Sequence, residues 1–408
     1  MKKLAALLPL AIVAACASES DGDVPDAVAP PSRHAAMEEA LRADARGLSF
    51  DRGDWLEDLG DAPFYGLAWL ARRATLDDGE RQRRDEALGR ARTLLSDELV
   101  KGDLQEKVMA ALGVIEHVAA TGDRSDVPLL DSFVDRLGSL VATFGDYLDG
   151  AADQSWAIRT YGPTAVTALV GLVHAQYALL VGGDRAAERK DRAIALDQRI
   201  ADRAFTELVA STKTVRAFAA GPDDLALDLY PNVAMLLLEA RLFCLTRDPA
   251  YRLQARALYA AIQPLKLSDV PARYASPYAA SLLKSKTGEV ATLSSQNYLA
   301  LALMLLFEIT GEARFVDEAD RVLDAIESMR GPWCLSQVHA EACASACGTG
   351  QACVTDACTA DRCTTGLLHH VVDGRLAQPG DGTLFCSGCN LQTLYVIGYR
   401  RQLAREPW

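Results

Sequence analysis

The chain has 408 residues, half of them hydrophobic and 24% charged, with a formal charge of −13 and ten cysteines. These figures exclude wholesale disorder and a many-span membrane protein. An acidic chain repels phosphate backbones, which excludes a nucleic-acid partner.

Lys2-Lys3 precede a twelve-residue apolar run, from Leu4 to Ala15, that stops at Cys16. A basic start, a short apolar stretch and small residues before a cut predict an export signal. Twelve residues are too few to span a bilayer. Val13-Ala14-Ala15-Cys16 resembles the lipobox of bacterial lipoproteins. The resemblance implies cleavage before Cys16 and lipid on its thiol, hence a lipoprotein anchored to a bilayer of the cell envelope. Ala17 follows Cys16 where an Asp would retain the protein at the inner membrane, so the outer membrane is the expected address in a Gram-negative cell. An ordinary secretory signal with a chance cysteine is the alternative. Residues 1–15 are therefore expected to be a signal peptide. Residues 16–33, with Pro25, Pro30 and Pro31, are expected to be a lipidated cysteine and a disordered tether, and 34–408 the folded domain.

From residue 34 the periodicity is helical. A lone helix is predicted over 34–46, and inner helices are predicted to begin near Ala62, Leu104, Pro163, Tyr230, Ser295 and Asn390. The stretches 232–246 and 297–309 are apolar on nearly every side, and Glu308 is the one charge in the second. Each is followed by a one-sided stripe: Tyr251, Ala255, Leu258 and Ile262 after the first, and Phe315, Ala319, Val322, Ile326 and Met329 after the second. A helix buried all round is thus paired with one buried on a single face. Similar turns join the pairs: Thr121-Gly122-Asp123, Gly182-Gly183-Asp184, Thr246-Arg247-Asp248 and Thr310-Gly311-Glu312, with Thr75-Leu76-Asp77 a weaker copy. Gly ends a helix in the left-handed conformation, and Asp caps the next. The acidic residues recur after 61, 64 and 64 positions. A fixed period of helical hairpins means a stacked or closed array. Pairing the last helix with the first closes it into an all-α (α/α)6 toroid, and an open solenoid is the alternative. The segment 164–183 has no acid or base except His174 and matches a membrane span in length. It falls in phase with the repeat, so an inner helix is expected there.

Asn232, Thr246, Asp248 and Tyr251, repeated as Gln296, Thr310, Glu312 and Phe315, carry a family resemblance. The pattern resembles the six-hairpin glycosidase-like superfamily, closest to its N-acylglucosamine 2-epimerase-like branch. The resemblance implies the toroid, with a cleft at one mouth of the ring and carbohydrate chemistry there. No catalytic motif of the family aligns, so no catalytic residue is carried over.

Eight cysteines crowd the last quarter: Cys334, Cys343, Cys347, Cys353, Cys358, Cys363, Cys386 and Cys389. They define an insertion, 331–389, ahead of the last inner helix. In an exported chain an even cluster predicts four disulfides, whose pairing stays open. Cys244, in an apolar run, is expected to be a buried free thiol. Zinc on Cys386-Ser387-Gly388-Cys389 with His369-His370 is the rival reading. The disulfide reading is preferred, with no metal and no cofactor.

The loops that lead into the inner helices are the long ones, and function gathers on such loops. They carry Asp153, Trp156, Arg159 and Tyr161, then Asp223, Asp224 and Tyr230, then His369 and His370. Sugar hydrolysis needs one carboxyl group to donate a proton and another to attack or activate water. Asp223 and Asp224, with Asp153 across the ring, are the catalytic candidates. Trp156, Arg159, Tyr161, Tyr230, His369 and His370 are the substrate-binding ones. Against these stands a plainer reading, in which Gly221-Pro222-Asp223-Asp224 is a turn and helix cap. The functional expectation is a glycoside hydrolase or sugar epimerase acting on envelope or environmental glycans. The alternative is a non-catalytic module that binds glycan or protein through the cysteine-rich insertion.

Overall fold

The computed structural model describes residues 27–47, 62–73, 75–97, 104–144, 156–210, 213–221, 226–276, 289–334, 351–354, 357–360, 363–368, 370–372, 375–376 and 387–406. Six helices form an inner ring: α2 (Ala62–Arg72), α4 (Leu104–Thr121), α6 (Trp156–Val181), α8 (Leu229–Thr246), α10 (Leu293–Thr310) and α12 (Ser387–Leu403). Each packs on the next, and α12 packs on α2, so the ring is closed. Outside it lie α1 (Ala35–Gly47), α3 (Asp78–Ser96), α5 (Val127–Phe144), α7 (Gly183–Ala204), α9 (Pro249–Ala261) and α11 (Ala313–Glu327). The protein is an (α/α)6 toroid, and α1 supplies the outer partner of α12. Every described residue of α8 as far as Cys244 is buried, whereas α9 buries only Ala255, Leu258 and Ala261. The apolar stretch after Pro163 is an inner-ring helix, buried over 83% of its most apolar window.

The closing seam is held by charge. Glu38 of α1 is fully buried and accepts from the Trp69 indole at 3.2 Å, from Arg73 at 3.0 Å and from Arg401 of α12 at 2.5 Å. One carboxylate thereby ties the first helix to both α2 and α12, the two inner helices that close the ring.

The turns show why Thr recurs. Thr121, Thr246 and Thr310 each donate the hydroxyl to the carbonyl four residues back. Each then accepts from the amide two residues on, at 3.1–3.2 Å. Gly122, Gly182 and Gly311 have φ of 74°, 65° and 71°, and Arg247 takes the same place at 60°. Asp248 caps α9 with Pro249 at the first helical position, and Asp77 caps α3 in a reciprocal box with Glu80. The capping role does not extend to all copies. Glu312 makes no side-chain cap, and Asp184 lies inside the first turn of α7 behind a Gly182 cap.

The long loops carry strands that helical periodicity does not announce. Three long loops contain an antiparallel hairpin: β1 (Phe205–Ala210) with β2 (Lys213–Phe218), β3 (Lys266–Asp269) with β4 (Ala272–Tyr274), and β6 (Arg330–Cys334) with β9 (Cys363–Leu367). Each hairpin ends on a buried residue clamped by an amide in the following inner helix. Asn232 accepts from Phe218 N–H at 2.8 Å and donates to its carbonyl at 2.9 Å. Gln296 does the same to Tyr274 at 3.1 and 2.9 Å, and Asn390 to Leu367 at 3.0 and 2.9 Å. A side-chain amide presents one donor and one acceptor, as a neighbouring strand would. All three occupy the fourth position of their helix. The first two are 64 positions apart and the last two 94. The cysteine-rich insertion is therefore the third hairpin drawn out at its tip. Its excursion carries β7 (Gln351–Val354) paired with β8 (Ala357–Ala360). Past β9, β10 (His370–Val372) pairs with β11 (Arg375–Leu376) on one side and on the other with β5 (Val290–Thr292), at the start of α10.

Two expectations change in detail. Cys244 is buried as foreseen, but it is not a free thiol: it and Cys389 are both disulfide-bonded, and no described cysteine is free. The far end of the expected tether is docked. Ala29 N–H donates to Leu403 at 3.0 Å, Ser32 N–H to Glu406 at 3.1 Å, and the buried Arg400 donates to the Pro30 carbonyl at 2.9 Å.

Candidate axial site

Residues that meet across a ring of helices mark its axis. Tyr65 of α2 and Tyr298 of α10 are not ring neighbours, yet their hydroxyls lie 2.5 Å apart. The Tyr298 hydroxyl also reaches the sulfur of Met109 on α4, at 3.9 Å. The two tyrosines are half-buried at the end of the ring where the long loops arrive. About one turn deeper, Leu112 and Leu301 are half-buried as well, although they sit mid-helix in the inner ring. Leu301 shares a helix face with Tyr298, and Leu112 with Met109, so the area they leave uncovered faces the axis. They are the apolar walls of a chamber below the tyrosines.

The floor is ionic. Arg72 pairs with Glu116 and also donates to Gln402. Arg241 lies 3.9 Å from Glu308 and donates to the Tyr399 hydroxyl at 3.4 Å. Tyr399 in turn donates to Glu308 at 2.5 Å. Burial pushes the Glu308 carboxyl above its ordinary range, with Arg241 and Tyr399 opposing the rise. Burial works against the Arg241 charge, but Tyr399, Glu308 and Glu116 outweigh it and hold the guanidinium protonated. The Tyr395 phenol is raised by burial and then by Glu116. From Tyr298 to Glu308 is ten residues of α10, about 15 Å at 1.5 Å per residue.

These positions follow the repeat. Glu116, Gln176, Arg241 and Tyr399 each stand six residues before a left-handed residue: Gly122, Gly182, Arg247 and Arg405. None of the four was singled out from sequence. The signal was present as a charged or polar residue inside an apolar helix at a fixed distance from its end.

Of the sequence candidates, Asp153, Asp223, Asp224 and His369 lie outside the described residues. Trp156, Arg159 and Tyr161 have described backbone only, in the turn before Gly162 breaks α6. Gly162 is obligatory: its φ is 79°, and a Cβ there would lie 2.6 Å from the Ala220 carbonyl oxygen. His370 pairs through its backbone with Thr292. Tyr230 is buried, edge-on to Tyr298 with ring centroids 6.1 Å apart, so it backs the axial tyrosines. Burial raises its phenol well above the ordinary value. Asp228 accepts from Tyr230 N–H at 3.1 Å and caps α8. The cap that sequence offered to Asp223 or Asp224 is thus filled by another residue.

Among the described residues, no three His, Cys, Asp or Glu side chains converge as a metal site. Cys389 is disulfide-bonded, which removes one thiolate from the zinc alternative.

No family model and no curated protein sequence matches the chain. Solved structures do. Cellobiose 2-epimerase from Bacillus thermoamylovorans superposes with a TM-score of 0.53 at 10% identity, over 88% of this chain and 98% of that one. An unsaturated glucuronyl hydrolase specific for heparin gives 0.53 at 9% identity, over 98% and 96%. Cellobiose 2-epimerase from Spirochaeta thermophila gives 0.51 at 12% identity, over 92% and 100%. At such identities the likeness is one of fold, and it is the (α/α)6 toroid.

Proposed function

We propose that the protein is an exported, lipid-anchored, carbohydrate-active enzyme of the glycoside hydrolase or sugar epimerase type, working at the mouth of the toroid. The observation that carries this reading is the axial chamber, with tyrosines at its opening, apolar walls and a polar floor. Pockets for small ligands have that build, and aromatic rings suit sugar faces. The likeness to two epimerases and a glycan hydrolase supports it. The N-acylglucosamine 2-epimerase-like pattern of Asn232, Thr246, Gln296 and Thr310 points to the epimerase branch.

In this reading Asp223 and Asp224 are the catalytic carboxyl groups and Asp153 faces them across the ring. One protonates the departing oxygen, and another attacks or activates water. Trp156, Arg159, Tyr161, His369 and His370 line the substrate path, and Tyr230 braces the tyrosines at its opening. The lipid is carried by Cys16. Residues 27–33 dock beside Leu403, at the end of α12 away from the mouth. In this reading the base of the ring is the side turned to the bilayer.

A second reading is favoured by β10, which fastens the cysteine-rich insertion to β5 at the start of α10. There the insertion binds glycan or protein without catalysis. An oligosaccharide panel separates the two. The enzyme reading expects turnover by the purified chain and a loss of at least about a hundredfold in an Asp223→Asn, Asp224→Asn variant. Absence of turnover, with binding that disappears when 335–362 is deleted, overturns it.

A further inference from the structure

The ionic floor has more hydrogen-bonding capacity than its own members use. Glu116, Gln176, Arg241 and Glu308 are on four different inner helices. Glu116 and Arg241 are 4% and 2% exposed. Yet Glu116 Oε1, Gln176 Oε1, Glu308 Oε1 and both Nε and Nη1 of Arg241 carry no hydrogen bond. Buried polar atoms left so are costly unless something fills the space between them.

The unfilled set describes its guest. Three oxygens ask for donors, and two guanidinium N–H groups ask for acceptors. A carboxylate offers acceptors only and would meet Glu116 and Glu308. An ammonium offers donors only and would meet Arg72 and Arg241. A hydroxyl both donates and accepts. Two guanidiniums and two carboxyl groups balance, so no net charge is called for. Leu112 and Leu301, half-buried between the tyrosines and the floor, suit the C–H faces of a ring.

We propose that the chamber floor, formed by Glu116, Gln176, Arg241 and Glu308, is a subsite for an uncharged polyhydroxy ring, so that the substrate ends in a neutral sugar and not a uronic acid. This rests on the carbohydrate reading above and narrows it. The Tyr65–Tyr298 hydroxyl contact lies across the way in, so the two side chains part when the ring passes.

The test is equilibrium binding to the purified full chain, with methyl β-D-glucopyranoside and D-glucuronate as probes. The proposal expects the neutral probe to bind at least about tenfold more tightly, the scale of one charge-assisted contact. Leu301→Trp fills the chamber without touching the ionic floor, and it should abolish that preference. Glu308→Gln keeps the shape and should weaken the neutral probe about tenfold with the helical circular dichroism unchanged. Equal or tighter binding of glucuronate overturns the proposal and leaves the carbohydrate reading standing. So does sugar binding that survives both substitutions, since the ring is then held elsewhere at the mouth. Binding of neither probe, and of no member of a wider glycan panel, overturns both.

Discussion

Asn232→Ala is the sharpest test of how the mouth is built. Asn232 is fully buried and clamps Phe218, also fully buried, through bonds of 2.8 and 2.9 Å. Removing the amide leaves the Phe218 N–H and C=O without partners where no water reaches them. Each orphaned group costs about 1–3 kcal/mol, so the loss is about 2–6 kcal/mol. The Asp228 carbonyl, which also receives the Asn232 amide at 2.8 Å, keeps its helical bond and adds little. A domain has only about 5–15 kcal/mol in total, so this is a large fraction. Urea unfolding gives the global change, and amide exchange over 213–218 locates it. Exchange there should accelerate far more than in α4. Asn232→Asp keeps the acceptor but sets an oxygen against the Phe218 carbonyl. It should therefore be about as destabilising near neutral pH and recover in acid, when a proton restores the donor. A change below about 0.5 kcal/mol for Asn232→Ala, the scale of an ordinary surface substitution, would refute the clamp.

Other consequences are independent of that one. Glu239 is fully buried on α8 beside Asp197, and burial followed by Asp197 drives its carboxyl well above the ordinary 4.5, while burial raises Asp197 to about 6. A raised carboxyl pKa favours the fold fully below the unfolded value and loses that advantage as pH climbs through the folded one. Glu239→Gln should thus leave the melting temperature unchanged near pH 4 and raise it near pH ~8, and a gain confined to acid contradicts this. Arg400 is fully buried, holds Asp320 through bonds of 2.8 and 2.9 Å and anchors Pro30. Arg400→Ala should cost about 3–5 kcal/mol and open 27–33 to proteases, and unchanged proteolysis would show that the strap is held otherwise. In the hairpin register Cys334 faces Cys363 and Cys353 faces Cys358. Directly opposed Cα atoms lie about 4.5–5.5 Å apart, within disulfide range. Peptide mapping should recover these two pairs, and any other partner for Cys353 contradicts the assignment.

The ring was legible because its signal is long. Thr121, Thr246 and Thr310 mark the same turn three times, and one-sided stripes such as Phe315 to Met329 distinguish outer helices from inner ones. The hairpins were not legible because strands of three to six residues carry little periodicity. What fixes them is an amide far along the chain, and Asn232 and Gln296 announce it only as a repeated letter. The axial residues escaped for another reason. An inner helix is apolar all round, so periodicity cannot say which face looks inward. Only the meeting of Tyr65 with Tyr298, 233 positions apart, reveals it. Glu308 was visible as a lone charge, but its partners Arg241 and Tyr399 come together only when the ring closes.

A crystal structure of the chain with a bound neutral oligosaccharide tests the central claim most directly. An oligosaccharide whose inner ring lies below Tyr65 and Tyr298, directed at Arg241 and Glu308, with its outer end at the mouth of the ring, is the predicted result. Sugar held only on the cysteine-rich hairpin or the outer helices, with the axial chamber left to water, would contradict the account.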